Sequence, residues 1–333
     1  MTFLRSARIT RRQALAAALA AAALIASPVP ATAQGAFPSR PITLVVPFGP
    51  GGIADLTARA IGEAVSRQLG QPVVIDNRPS AGSIVATQAV ASAKADGHTL
   101  LLMSNGNAVS VGLFRKLPYD TQRDLTGVST LGYFDLGLFV PAGSRFTSLA
   151  QLTAHAKARA GKLNVGTIAV GSTQHLSAKL FETVAGIDTL VVPYKASPAV
   201  LGALRGGEVD VAFEIVGPML PQVKAGVVRA LAVTGARRNP ALPDVPTVAE
   251  SGLPAYDVAS WNGIAAPAGT PPEVLARLNA VVRQAVADPA VQARLAPLGM
   301  RLAASSPAEL DALLAREIVR WGEVIRAAGI QPE

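Results

Sequence analysis

Between Pro38 and Gly82 the chain reads PSRPITLVVPFGPGGIADLTARAIGEAVSRQLGQPVVIDNRPSAG, which alternates strand, glycine loop, helix and strand. Ile42 to Val46 is a short β-branched and apolar run, the right length for a buried parallel strand and too short for a core helix. Pro47-Phe48-Gly49-Pro50-Gly51-Gly52 then ends the strand, because proline lacks a donor and glycine permits positive φ. From Ala54 to Leu69 the apolar positions Ala54, Leu56, Ala58, Ile61, Val65 and Leu69 fit an amphipathic helix opening directly out of that loop. Free backbone N–H groups and the helix dipole at such a mouth suit a phosphate or a carboxylate. A tight βα turn that binds nothing reads the same way. The loop has neither the Lys-Ser/Thr of a P-loop nor the spacing of a dinucleotide fingerprint.

The first 33 residues read as an export signal: Arg5, Arg8, Arg11 and Arg12 precede the apolar run Ala14 to Ala26, and Ala31-Thr32-Ala33 fits an A-x-A cleavage site. Arg11-Arg12 is compatible with the twin-arginine route, although ordinary basic n-regions also contain adjacent arginines. Cleavage is expected after Ala33, leaving a soluble chain in the bacterial periplasm. With Cys 0 there is neither a disulfide nor a lipidated cysteine. The formal charge of +8 overstates the mature basicity, since four of the 30 Lys and Arg and none of the 22 Asp and Glu lie in the signal, which leaves 26 minus 22, or +4. That excess carries no basic run interleaved with aromatics, so nucleic acid is not an expected partner. It favours acidic ligands weakly.

The βα rhythm repeats. Pro72 to Asp76 reads as a strand, Asn77 to Gly82 as a turn, Ile84 to Ala93 as a helix, and Leu100 to Met103 as a strand that ends in a polar loop, Ser104-Asn105-Gly106-Asn107. After the extended stretch Leu131 to Val140 the pattern restarts with helix Leu149 to Ala160, strand Leu163 to Thr167, the loop Ala169 to Thr173 and helix Gln174 to Val184. Gly171-Ser172-Thr173 brings two hydroxyls to that helix mouth, where they either cap the backbone or donate to a carboxylate. Strands Leu190 to Tyr194 and Val209 to Phe213 flank helix Ala199 to Arg205. Val258 to Ala266 leads back toward the first domain, completed by helices Pro272 to Ala287, Pro289 to Leu295 and Pro307 to Ala328. Two crossings make a hinge with a ligand cleft between two lobes. The expected segments are 1–33 signal, 34–136 first part of domain 1, 137–257 domain 2 and 258–333 the return to domain 1.

Seven ordered stretches resemble the Bug family of periplasmic solute-binding receptors, the substrate-binding components of tripartite tricarboxylate transporters: PSRPITLVVPFGPGGIAD from Pro38, GQPVVIDNRPSAGS from Gly70, ADGHTLLLMSN from Ala95, GSTQHLSAKLF from Gly171, VVPYKASPAVLGALRGGEVDVAF from Val191, LPDVPTVAESGLP from Leu242 and WNGIAAPAGTP from Trp261. The resemblance implies an α/β, two-lobed type II periplasmic-binding-protein fold with a hinged inter-domain cleft. It implies a small organic acid as ligand, integral membrane permease subunits as partners, a monomer, and no cofactor. A carboxylate would be held by main-chain N–H groups and water from the loops that match Phe48 to Asp55 and Gly171 to His175. The candidate ligand-binding residues are thus Phe48, Gly49, Gly51, Gly52, Ile53, Asp55, Gly82, Ser104, Asn105, Gly171, Ser172, Thr173, His175 and Glu214. Two departures stand out: Ser80-Ala81-Gly82-Ser83 replaces the usual GAGG, and Ala196-Ser197 replaces a GS pair.

Glu214, after the strand that ends at Phe213, either accepts an ammonium, pairs with Lys195 or is solvated. Arg78 either contacts a carboxylate or bonds to the neighbouring loop. A hydrolase would have to use Ser172 or Thr173 beside His175, which has no evident orienting acid. His98 and His155 form no pair with zinc-ligand spacing. The reading is a non-enzymatic receptor that serves a permease, the alternatives being a receptor for a sensor kinase ectodomain and a serine hydrolase.

Overall fold

Ile42–Val46 forms strand β1, which pairs in parallel with β2 (Val73–Asn77) on one side and β3 (Thr99–Ser104) on the other. Branched side chains on both faces of β1 are buried, as a strand covered by helices on either side requires. The computed structural model describes residues 37–327 and 329–332, so the expected signal segment, its cleavage after Ala33 and the helix end at Ala328 lie outside the described residues. From Arg40 onward the chain packs as one compact unit. Helix α1 (Ile53–Leu69) returns between β1 and β2, and α2 (Ile84–Ala91) between β2 and β3. Helix α3 (Asn105–Leu113) starts immediately at the end of β3.

A long strand, β4 (Leu125–Pro141), joins two halves of the sheet. Up to Asp135 it pairs antiparallel with β9 (Ala259–Pro267); from Leu136 it pairs with β7 (Val211–Ile215) and β8 (Val228–Val233). The second half continues through β5 (Asn164–Ile168) and β6 (Leu190–Tyr194), both parallel, with α4 (Leu149–Ala158), α5 (Thr173–Ala185), α6 (Ser197–Gly206) and α7 (Val216–Lys224) as connections. The chain finishes on the first half with α8 (Pro272–Ala287), α9 (Pro289–Leu295), β10 (Met300–Leu302) against β4, and α10 (Pro307–Ala327). Thr234 ties the two crossings together: its N–H donates to Leu136 O at 3.0 Å, its hydroxyl to Val258 O at 2.8 Å, and the Val258 N–H donates back at 2.8 Å.

Four features differ from the sequence reading. Ser104 to Asn107 is the start of α3 rather than a loop; Ser104 caps the helix while Asn107 Oδ1 accepts from the Ser104 N–H at 2.9 Å. β7 is displaced two residues from the expected Val209 to Phe213, which places Glu214 inside the strand rather than after it. Helix α7 was not expected because Pro218 and Pro221 interrupt its sequence; Pro218 occupies the first turn, where the missing N–H has no intrahelical partner to lose. The run Val228–Val233 proves to be strand β8.

Candidate functional site

The carboxyl ends of β1, β3, β5 and β7 and the helices that follow them surround a cleft holding about 420 Å³ of space between atoms, part of it open to solvent. Phe48, Gly49, Gly52, Ile53 and Ala54 line it from the α1 mouth, with Ser104 from the α3 cap, Phe134 from β4, and Ser260 and Asn262 from β9. From the other half come Ile168, Thr173, Gln174, Ala196, Ser197 and Ile215. Each of α1, α3, α5, α6 and α7 thus contributes its N-cap or a first-turn residue. The backbone amides of Ile53, Ala54, Thr173, Gln174 and Ser197 make no hydrogen bond to any described residue, and α1 and α6 have no side-chain cap. Among the described residues no ionisable side chain lines the cleft. Its positive potential comes from amides and helix dipoles, which suits a small anion.

Asp55 does not face this space. Its carboxylate accepts from the Gly51 amide at 3.0 Å, from Asn77 Nδ2 at 3.0 Å and from Arg59 Nε at 3.0 Å, with a second Arg59 nitrogen at 2.9 Å. Asn77 also donates to Phe48 O at 3.0 Å. The network clamps both ends of the glycine loop to α1 and β2, so Asp55 braces the amides while its own lone pairs are occupied. Burial pushes its pKa up, but the hydrogen bonds from Arg59, Gly51 and Asn77 outweigh this and hold it below the ordinary aspartate value. Gly51 itself adopts φ 84°, a left-handed turn open to glycine at no steric cost. Arg59 and Asn77 were missed in the sequence reading; the i,i+4 spacing of Asp55 and Arg59 was the available signal.

On the opposite wall Ser172 is a cap. Its hydroxyl accepts from the His175 N–H at 3.1 Å and donates to Ile168 O at 3.1 Å. It makes no bond to the His175 imidazole, whose pKa burial, aided by Lys179, pushes down to about 4. Thr173 reaches across the cleft, bonding to Asn105 Nδ2 at 3.2 Å and Ser260 Oγ at 2.8 Å, and Asn105 Oδ1 in turn accepts from the Trp321 indole at 2.8 Å. Glu214 is neither solvated nor paired with Lys195. Its side chain is 0% exposed, and its Oε1 accepts from Gln174 Nε2 at 2.9 Å and from the Ile215 amide at 2.8 Å. Burial raises its pKa against the pull of Gln174, the Ile215 amide and the Ser197 hydroxyl.

Gly82 and Gly171 meet where the two halves of the sheet approach each other. The Gly82 N–H donates to Val170 O at 2.9 Å, and its φ of 59° with Phe114 and Ser110 close behind leaves no room for a Cβ. Ser83 next to it holds φ 61°, at the position where the Bug pattern carries glycine. Arg78 pairs with Asp76 at 2.8 Å at the surface. The structure therefore gathers Phe48, Gly49, Gly52, Ile53, Ser104 and Thr173 on the cleft, puts Gly51, Asp55, Asn105, Ser172 and Glu214 directly behind it, and sets Gly82, Gly171 and His175 off its lining.

Residues 57–330 match the family described as the tripartite tricarboxylate transporter family receptor. The chain belongs to that family. It is 41% identical over 320 residues to the UPF0065 protein in the tcbD-tcbE intergenic region of Pseudomonas sp. (strain P51), covering 96% of this chain and 95% of that one. Rpa4515 of R. palustris, solved with adipate, superposes with a TM-score of 0.85 at 37% identity and covers 89% of this chain and 100% of its own. The periplasmic binding protein BugD gives a TM-score of 0.85 at 30% identity, with 89% and 100% covered. The receptor has the two-lobed α/β fold of the periplasmic binding proteins.

Proposed function

We propose that this receptor captures a small organic carboxylate in the periplasm and delivers it to the permease subunits of a tripartite tricarboxylate transporter. The observation that carries this reading is the convergence of uncapped helix mouths on a cleft that no cationic side chain lines among the described residues. Such amides pay no desolvation toll comparable to that of a buried cation, and each charge-assisted hydrogen bond contributes about 1.5–3 kcal/mol. A carboxylate would span the Ile53 and Ala54 amides of one lobe and the Thr173 and Gln174 amides of the other, which requires the lobes to close about the crossings at 131–140 and 258–266. Segments 34–136 and 258–333 form one lobe in this reading and 137–257 the other. The adipate held by Rpa4515 supports the ligand class, and the family supports the transporter partner. The Ser172 hydroxyl, committed to Ile168 O rather than to His175, favours a receptor over a hydrolase.

Native mass spectrometry of gently purified protein tests the reading. A retained adduct with the mass of an organic acid, lost on unfolding, is the expected result; failure to bind any member of a broad carboxylate panel would overturn it.

A further inference from the structure

Three hydrogen bonds join the start of α5 and the loop before it to the other half of the sheet. The Asn105 side chain donates to Thr173 Oγ1 at 3.2 Å, the Thr173 and Ser260 hydroxyls bond at 2.8 Å, and the Gly82 amide donates to Val170 O at 2.9 Å. Asn105, Thr173 and Ser260 are all buried. None of these bonds spends the free amides of Ile53, Ala54, Thr173, Gln174 or Ser197. The seam is therefore made of the protein's own groups and leaves the anion donors available.

The Asn105 carboxamide could meet Thr173 with either its oxygen or its nitrogen, because a threonine hydroxyl both donates and accepts. Trp321 decides which. An indole N–H only donates, and Trp321 Nε1 lies 2.8 Å from Asn105 Oδ1, so the oxygen is taken and Nδ2 is left to face Thr173. The same N–H lies 2.9 Å from Glu317 Oε2, one turn earlier on α10. Trp321 is wholly buried where α10 packs on α3, so closely that a Cβ on Gly112 would lie 3.4 Å from Gly322 Cα. Orientation thus passes from α10 through Asn105 to a hydroxyl on the far side of the cleft.

With the division into lobes taken from the carboxylate-receptor reading, Gly82, Asn105, Ser260 and Trp321 stand on one lobe and Val170 and Thr173 on the other. We propose that Trp321 and Asn105 are positioning residues for capture: they hold the Thr173 hydroxyl across the cleft, so that the receptor populates its closed arrangement before a ligand binds. A ligand that needs both lobes then binds with an apparent affinity scaled by that closed fraction. The two side chains act on every ligand alike rather than selecting among them.

Spin-label distances test this without any ligand. The chain has no cysteine of its own, so labels on Val74→Cys and Leu190→Cys, exposed on the edge strands β2 and β6, report the lobe separation alone. The ligand-free parent should show a closed population. Asn105→Ala and Thr173→Val should each lower the closed-to-open ratio about fivefold, and Trp321→Phe, which keeps a ring but frees the carboxamide to turn, about twofold to threefold. Trp321→Phe should add nothing once Thr173 is replaced by valine, because its effect runs through that hydroxyl. Unchanged distances in the folded variants, a ligand-free parent found only open, or a Trp321→Phe shift that persists in the Thr173→Val background would overturn the proposal. If Trp321→Phe does not fold, the indole N–H resonance of Trp321 in protein carrying nitrogen-labelled tryptophan replaces it: Thr173→Val should move that signal, and an unmoved signal would overturn the role of Trp321. Calorimetry with adipate should show affinity falling by the same factor as the closed fraction. Failure of every carboxylate to bind would overturn the carboxylate reading and leave the spin-label result to decide the seam.

Discussion

The mouth of α1 and the mouths of α5 and α6 offer free amides to the same cleft, yet the acid near each is held differently. Asp55 is bonded by a backbone amide, an asparagine and an arginine, all on its own lobe, and serves to hold the glycine loop in shape. Glu214 is wholly buried, is ion-paired with no cation among the described residues, and is bonded by the Gln174 side chain and the Ile215 amide. The first acid is structural and saturated. The second is held by neutral donors at helix mouths, without a counter-ion among the described residues. A shared strand-loop-helix plan therefore brings free amides to the cleft from both sides, while the acid behind each wall is held in a different way.

The largest expected effect tests the saturated side. Asp55→Ala strands the Gly51 amide and the Asn77 carboxamide and should cost about 3 kcal/mol of stability, read from the urea midpoint. Arg59→Ala should cost about 1 kcal/mol or less, because Arg59 is nearly half exposed and its loss leaves the other two bonds to Asp55 intact. Equal costs for the two would contradict the brace as described. Next in size is Ile53→Pro. Ile53 is the first residue of α1 and Gly52 before it is extended, so proline fits the backbone and deletes one free amide. Affinity for the retained acid should fall by about 2 kcal/mol, or roughly thirtyfold, with the melting temperature little changed. Unaltered affinity would remove the α1 mouth from the site.

The α1 mouth was legible in the sequence because its signals are local: a β-branched run, a glycine loop and helical periodicity, all within Ile42 to Leu69. What lies behind it was not, since Asn77 meets Asp55 only once β2 is seated beside β1. On the other wall the strand boundary was read two residues early, and Glu214 consequently appeared to follow β7 when it lies within it. Alternation then turns Glu214 to the face opposite Phe213 and Ile215, toward α5 and α6. Helix α3 escaped notice because NGNAVSVGL is rich in glycine and asparagine and has no strong apolar face, although Ser104 and Asn107 carry a capping pattern.

A smaller effect is expected from Ser172→Ala. Loss of the α5 cap and of the bond to Ile168 O should cost about 1 kcal/mol of stability. Affinity should change less than in Ile53→Pro, because the amides of Thr173 and Gln174 remain. An affinity loss larger than that of Ile53→Pro would make the hydroxyl a direct ligand contact and the α5 mouth the dominant one.

The smallest effect has the opposite sign. Asp55, held below its ordinary pKa, contributes stability that is complete above about pH 4 and is lost as pH falls through its folded value. Glu214, held above its ordinary value by burial, behaves in reverse: between the unfolded and folded pKa the native state binds the extra proton, so stability declines as pH rises through that window. Glu214→Gln keeps an oxygen for Gln174 and the Ile215 amide and cannot ionise, and should therefore stabilise the ligand-free receptor above the folded pKa by up to about 1 kcal/mol while abolishing the decline across that window. Asp55→Asn should instead weaken the acid limb and destabilise at neutrality. The pair of urea titrations between pH 3 and pH 8 compares the two acids directly. A Glu214→Gln receptor that is less stable than the parent above that window would mean that the carboxylate is held as a structural anion by the α6 and α7 mouths, and the contrast with Asp55 would disappear.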